Sequence, residues 1–242
     1  NGRDRDTVIL LTADHGDMLG ERGMWYKMTF YEWAARVPLV LHAPQRFSAG
    51  RVGANVSLLD LYPTLLDLAD AGGGATPVPL PGRSLLPLIE RGGEAGDWPD
   101  TVLGEYLAEG AIGPLVMIRR GPHKYVVGEG VPPQLFDLER DPDELENLAE
   151  APDRHDLAAA FAAEVAERWD LDSLKERVIV SQRRRRLVFE AQRQGRPTPW
   201  DYQPVFDASR RYARNLAEAL GDMERDMRLP YLPEPAPDGP EA

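Results

Sequence analysis

The chain has 242 residues, 43% hydrophobic, 28% charged and 8% aromatic, with 28 Lys and Arg against 40 Asp and Glu for a net charge of −12. This describes a folded chain able to bury a core, and excludes collagen-like, coiled-coil, wholly disordered and broadly polyanion-binding proteins. No segment approaches the ~20 apolar residues of a membrane span, and the absence of cysteine excludes disulfides, thiolate metal sites and a Cys nucleophile within these residues.

The opening Asn-Gly-Arg-Asp-Arg-Asp is neither a signal peptide nor a translation start. Thr7 to Ala13 is an apolar, β-branched run stopped by Asp14-His15-Gly16, which predicts a fully buried strand of a parallel sheet with helices on both faces. One further strand of this type follows soon after, Val37 to His42. The chain is therefore expected to be the C-terminal part of a longer protein that holds the rest of the sheet. Leucines at helical spacing predict an amphipathic helix over Ser57 to Ala71, capped by Ser57 or Asp60, with Pro63 tolerable only in its first turn. A Gly/Pro-rich loop, Gly72 to Gly82, precedes a short helix over Ser84 to Arg91. From Thr101 the texture changes to short strands: Thr101 to Leu107, Leu115 to Arg120, Lys124 to Val127 and Gln134 to Leu138. Gly121-Pro122 makes a hairpin turn, so a small antiparallel sheet is predicted. Asp153 to Gly195 reads as two helices meeting near Asp170 to Asp172. A third, Asp207 to Leu220, follows the Pro-rich link Pro197 to Pro204, and the Pro/acid-rich end beyond Pro230 is expected to be disordered.

Asp14 and His15 stand where a buried strand ends, the place where α/β sheets gather ligands. An oxygen and a nitrogen donor side by side suit a divalent metal; equally, Asp14 could cap the following turn and His15 be merely exposed. Lys27 follows twelve residues on, among Trp25, Tyr26, Phe30, Tyr31 and Trp33. A lysine in such surroundings can meet a sulfate or phosphate oxygen, its charge strengthened by a low local dielectric, or it can snorkel over an aromatic core.

The succession T-A-D-H-G-D-M-L-G-E, W-Y-K, E-W-A-A-R-V-P-L-V-L-H-A-P and L-L-D-L-Y-P-T-L-L-D-L-A resembles the C-terminal half of sulfatases of the alkaline-phosphatase-like superfamily. P-G-R-S-L-L-P-L-I, H-K-Y-V-V-G and Q-L-F-D-L-E-R-D-P-D-E-L-E-N-L resemble that family's small C-terminal sheet, and S-Q-R-R-R-R-L-V-F-E-A-Q-R-Q-G-R-P-T-P-W-D-Y-Q-P is similar to the C-terminal extension of choline sulfatases. The resemblance implies an α/β fold: residues 1–98 as the end of the catalytic domain, 99–150 as the small antiparallel sheet, 151–229 as the helical extension, and 230–242 as a disordered tail. It implies that Asp14 and His15 ligate one divalent cation, calcium in most of the family with manganese or magnesium as alternatives. Lys27 would stabilise charge on the transferring sulfuryl group. The family's nucleophile is a formylglycine made from a Cys/Ser-x-Pro-x-Arg motif. No such motif occurs here, so the residues are expected to be half of an active site, inactive alone.

Choline-O-sulfate as substrate calls for aromatic faces and a carboxylate around a quaternary ammonium. Strand alternation places Glu105 with Leu103 and Leu107, an apolar setting in which a carboxylate wants a cation or an arginine partner. Trp200-Asp201-Tyr202 joins a ring, an acid and a ring on a Pro-stiffened arm, and could equally be a tail anchor; the resemblance implies that such an arm reaches a neighbouring subunit. Lys175 to Arg196 carries eight basic and two acidic residues, including Arg183 to Arg186, and is read as a subunit interface of a homo-oligomer rather than a nucleic-acid or membrane surface. His42, His123 and His155 are read as structural or surface residues. The resemblance implies a cytoplasmic enzyme. A phosphonate or phosphodiester hydrolase of the same superfamily, and an oligomerisation module without chemistry, are the competing functions.

Overall fold

The computed structural model describes residues 7–69, 78–93 and 96–195. The chain divides into two units, residues 1–177 and 178–242.

The apolar run near the start forms β1 (Ile9–Thr12), paired antiparallel with β2 (Leu39–His42), with Ile9 opposite His42 and Thr12 opposite Leu39. Side chains alternate across a strand, so Leu10, Thr12, Leu39 and Leu41 share a half-buried face. On the other face Ile9, Leu11 and Val40 are 52%, 57% and 56% exposed. Where a strand of a parallel sheet was expected, the one partner of β1 among the described residues runs antiparallel. The sequence is apolar on both faces, and the described residues cover one.

Between these strands the chain makes a tight 3-10 turn, Glu21–Gly23, and the single-turn helix α1 (Glu32–Ala35). The next helix, α2 (Leu61–Leu68), is shorter than its leucine pattern predicts because a 3-10 turn, Leu58–Asp60, comes first. Ser57 opens that turn: its hydroxyl accepts the Leu59 N–H at 3.2 Å while Asp60 Oδ2 accepts the Ser57 N–H at 2.8 Å, the reciprocal pattern that satisfies two orphan donors. Buried Asp60 also accepts the Arg83 N–H at 2.8 Å, and Thr64 Oγ1 accepts the Leu85 N–H at 2.9 Å. These bonds tie α2 to the segment entering α3 (Leu86–Glu90). At Gly82 a Cβ would lie 2.0 Å from the Leu59 carbonyl oxygen, so only glycine passes.

The four-stranded antiparallel sheet has the order β3 (Thr101–Tyr106), β4 (Leu115–Arg120), β5 (His123–Gly128), β6 (Val131–Asp137). Gly121 and Pro122 form the predicted β4–β5 turn, with Arg120 opposite His123 and Gly121 at φ +49°, a conformation cheap only for glycine. One face of the sheet, with Val116, Ile118, Tyr125 and Leu135, packs on Phe161 and Val165 of α4 (His155–Arg168). The spacing of Leu157, Phe161 and Val165 puts all three on one helix stripe; the Tyr125 and Phe161 rings stack at 5.7 Å. Each such large apolar side chain contributes roughly 1.5–3 kcal/mol when fully buried.

Arg120 adds a fork at the edge of that contact: its Nη1 and Nη2 each lie 2.8 Å from a Glu164 oxygen, and Arg168 Nε reaches the same carboxylate at 2.8 Å. The Arg120 hydrogen bonds lead in holding the Glu164 carboxyl down, from 4.5 to about 2. A depressed folded-state pKa contributes stability that is present above the unfolded value and lost as pH falls through the folded one. Glu164→Gln is therefore expected to cost about 1 kcal/mol at neutral pH, a figure discounted for solvent screening. It should also flatten the acid limb of stability between pH 4.5 and about 2. Urea midpoints across that window check it; parallel curves for the two proteins would refute it.

The second predicted helix pair member is α5 (Leu171–Arg193), which has no buried residue. Of the second unit, residues 178–195 are described; Arg183 to Arg186 are exposed there and make no ion pair among the described residues. The predicted helix Asp207 to Leu220, the link Pro197 to Pro204 and the end beyond Pro230 lie outside the described residues. No helix among those described is long and apolar enough to cross a membrane.

Candidate active site

Two residues past the end of β1, Asp14 Oδ1 accepts the His15 backbone N–H at 3.0 Å. His15 Nδ1 lies 2.7 Å from the Gly16 carbonyl oxygen. A carbonyl only accepts, so Nδ1 carries the ring proton and the Nε2 lone pair accepts from the Lys27 ammonium. That lone pair faces Lys27 Nζ at 2.7 Å and Asp14 Oδ2 at 3.3 Å. Three groups of the sequence-level reading thus meet at one point: an oxygen donor, a nitrogen donor and an ammonium.

The backbone between them explains the convergence. Gly16 donates to the Ala34 carbonyl at 2.8 Å and Met18 to the Tyr26 carbonyl at 2.8 Å, so the chain doubles back and returns Lys27 to His15. Gly20, at φ +98°, makes the reversal, and its N–H reaches Met24 O at 2.9 Å. Met18 anchors the loop, fully buried. At Gly16 a Cβ would lie 2.0 Å from the Trp33 carbonyl oxygen. The glycine of D-H-G is thus a packing requirement, and it presents the acceptor that sets the His15 tautomer. Histidine ring nitrogen NMR should show the Nδ1–H form at neutral pH; a spectrum dominated by Nε2–H would contradict this arrangement.

The electrostatic setting differs from the one expected. Lys27 is exposed, as are Trp25, Tyr26 and Trp33, while Asp14 is 85% and His15 36% exposed. Neither an aromatic core beneath Lys27 nor a low-dielectric pocket is built by the described residues, because Trp25, Tyr26 and Trp33 face outward while Phe30 and Tyr31 turn to the small sheet. Asp14 Oδ2 and His15 Nε2 nonetheless suit a shared cation. With ligand distances of about 2.0–2.6 Å, neighbouring donors around a divalent ion fall roughly 3–3.5 Å apart. Among the described residues no group of three His, Cys, Asp or Glu side chains assembles around them. The pair supplies part of a coordination sphere.

Glu105 is placed elsewhere. Its Oε1 accepts the Trp169 indole N–H at 2.7 Å, on the sheet face that packs on α4, and its described partner is neither an arginine nor a member of the Asp14 cluster. Trp200 and Asp201 lie outside the described residues. What the sequence reading missed is a buried ion cluster behind the loop. Lys124 on β5 reaches Glu32 and Glu144, each at 2.7 Å, and the Phe30 carbonyl at 2.7 Å. The signal was present: a lysine in the apolar strand H-K-Y-V-V-G and a glutamate between aromatics in F-Y-E-W. Nearby, burial pulls the Arg119 guanidinium below its usual value, opposed by the carboxylates of Glu32, Asp100 and Glu144. Arg119 Nε donates to Asn55 Oδ1 at 3.2 Å.

With fold and site described, the comparisons define the class. The family of N-sulphoglucosamine sulphohydrolase C-terminal domains matches residues 20–170, and the chain belongs to the sulfatase family. The family of choline sulfatase enzyme C-terminal regions matches residues 176–229. The chain is 45% identical over 229 residues to the choline-sulfatase of Rhizobium meliloti (strain 1021), covering 93% of this chain and 43% of that protein. It thus spans less than half the length of this relative. Among solved structures, a putative sulfatase from Bacteroides thetaiotaomicron superposes with TM-score 0.59 at 30% identity, over 69% of this chain and 37% of the other. The phosphonate monoester hydrolase of Agrobacterium radiobacter gives TM-score 0.58 at 34% identity, over 69% and 35%.

Proposed function

We propose that this chain contributes the sulfate-facing part of a choline-sulfatase active site, in an enzyme that hydrolyses choline-O-sulfate to choline and sulfate. The observation that carries the reading is the meeting of Asp14 Oδ2, His15 Nε2 and Lys27 Nζ at a strand end. Sulfatase-family membership and the likeness to the Rhizobium protein give that meeting a chemistry. Asp14 and His15 would hold one divalent cation, calcium on the family's chemistry with manganese and magnesium as alternatives. That cation would neutralise charge on the sulfuryl oxygens. Lys27 adds a second positive charge at the same place, and preorganised charge where charge develops is the largest single contribution in many enzymes. The formylglycine nucleophile would come from residues other than these, since there is no Cys and no Ser-x-Pro-x-Arg in the chain.

The exposed apolar face of β1 and β2, with Ile9, Leu11 and Val40, supports a catalytic domain completed by further protein. Trp200 and Asp201 remain candidates for the choline pocket, supplied in cis or by a neighbouring copy. Glu105 would join them only by exchanging its Trp169 partner for the ammonium. A homo-oligomer built through residues of α5 and beyond, and a cytoplasmic location, complete the reading. Exchanging Arg183 and Arg184 for Glu and finding an unchanged particle mass by light scattering would remove α5 from that interface.

The likeness to a phosphonate monoester hydrolase favours a second reading, in which the same donors face a phosphonate. The test is turnover by the complete gene product of choline-O-sulfate, an aryl sulfate and a phenyl phosphonate monoester. The highest kcat/KM on choline-O-sulfate supports the first reading, and preference for the phosphonate overturns it in favour of the second. No turnover, in a gene product without Cys/Ser-x-Pro-x-Arg, leaves a non-catalytic assembly module.

A further inference from the structure

Lys124 is 1% exposed and Glu144 2% exposed, far from any place where a solvated ion pair would be expected, and neither takes part in the chemistry proposed above. We propose that Lys124 is a positioning residue for the Asp14, His15 and Lys27 site, acting through Phe30 and Glu32; its link to catalysis rests on the sulfatase reading. The Lys124 ammonium donates to the Phe30 carbonyl at 2.7 Å and is ion-paired at 2.7 Å with Glu32 Oε1 and with Glu144 Oε1, a buried oxygen whose one partner among the described residues is this charge. The other Glu144 oxygen accepts the Glu32 backbone N–H at 2.7 Å. The entry to α1 is thus held by main chain and side chain together.

Burying these charges is unfavourable unless partners are well placed. An apolar side chain at position 124 would leave two carboxylates without their counter-ion and the Phe30 carbonyl without its donor. Such a cluster tolerates one register of the loop against the sheet. Other contacts converge on the same segment. Arg22 donates to the Asp143 carbonyl at 2.8 Å and to the Glu144 carbonyl, and lies 4.3 Å over the Tyr31 ring. Gln134 donates to Tyr31 Oη at 3.0 Å, and Phe30 fills the space beside Gly104.

From this anchored segment the geometry runs directly to the site. Ala34, in the helix that Glu32 opens, accepts the Gly16 N–H next to His15. Lys27 stands three residues before Phe30. The small sheet therefore sets where Lys27 meets His15, although none of its strands carries a group that touches them.

The experiment is hydrogen exchange on the full chain for Lys124→Met. Amides of residues 14–34 are expected to exchange roughly tenfold faster or more, while those of β3 and β4 keep their protection and the His15 ring signals broaden into a tautomer mixture. Unchanged exchange and ring signals in residues 14–34 of the folded variant overturn the proposal. So does an equal loss across loop and sheet. If Lys124→Met does not fold, Glu32→Gln carries the test, since it leaves the Lys124 and Glu144 pair in place, and it must show the same selective loosening. In the complete enzyme the variant should lose kcat with little change in KM. Selective loosening in a protein that never turns over choline-O-sulfate would defeat the functional reading and leave this one standing.

Discussion

Lys27→Ala in the complete enzyme is expected to lower kcat/KM for choline-O-sulfate by roughly 10²–10³-fold, the effect of removing one preorganised charge from a developing oxyanion. Lys27 Nζ sits 2.7 Å from His15 Nε2, whose lone pair it would yield to a cation shared with Asp14 while its charge stays beside it, so it belongs to the same cluster as the metal-type donors. Its contribution is electrostatic, so Lys27→Arg should recover part of the loss, less than fully because a planar fork replaces a point charge. The fall should appear mainly in kcat, since charge on the transferring group is greater in the transition state than in the bound ester. Steady-state kinetics on the three proteins decide it. A Lys27→Ala enzyme within threefold of the parent would remove Lys27 from the machinery.

Gly16→Ala should be the most damaging single methyl addition in the loop. The new Cβ would stand 2.0 Å from the Trp33 carbonyl oxygen and 3.0 Å from its carbon, both backbone atoms of the segment that supports α1. Backbone cannot step aside as a flexible side chain does. The clash is relieved only by breaking the bond from Gly16 N–H to Ala34 O. A cost of about 2–4 kcal/mol is expected, typical of overpacking combined with a lost buried hydrogen bond. Gly53→Ala is the control, with open space within 4 Å and no positive φ. Urea midpoints of the two variants should differ accordingly, and the His15 Nδ1–H signal should weaken in Gly16→Ala alone. Equal midpoints would show that the loop absorbs the methyl group.

Much of the architecture was legible in short-range patterns. The alternation of Thr101 to Leu138, with Gly121-Pro122 between two strands, led to the observed β4–β5 hairpin and to the four-stranded sheet around it. Ser57 three residues before Asp60 marked a helix start that the structure makes with a capping box, displaced by one 3-10 turn. The break near Asp170 falls between α4 and α5. These are local signals, set by turn chemistry, capping and side-chain period.

The apolar run near the start reports what its strand is built to be covered by, and among the described residues β1 and β2 leave Ile9, Leu11 and Val40 exposed; the antiparallel sense of their pairing is set by the path of the chain between them. For the aromatic run around Lys27, composition shows that rings are present, whereas the loop's path decides that Trp25, Tyr26 and Trp33 face outward. Glu105 was read toward a cation, and the fold brings Trp169 to it from 64 residues away.

By itself, then, the sequence determined most of the elements among the described residues, their order, the small antiparallel sheet and the residue types at the strand end, because each depends on neighbours within a few positions. Only the tertiary structure decided which nitrogen of His15 carries the lone pair, that Lys27 donates to it, and that Lys124 gathers Glu32 and Glu144 from segments 112 residues apart. Those outcomes depend on loop closure between distant parts of the chain, whose entropy is offset by contacts that form only once the distant segments have met.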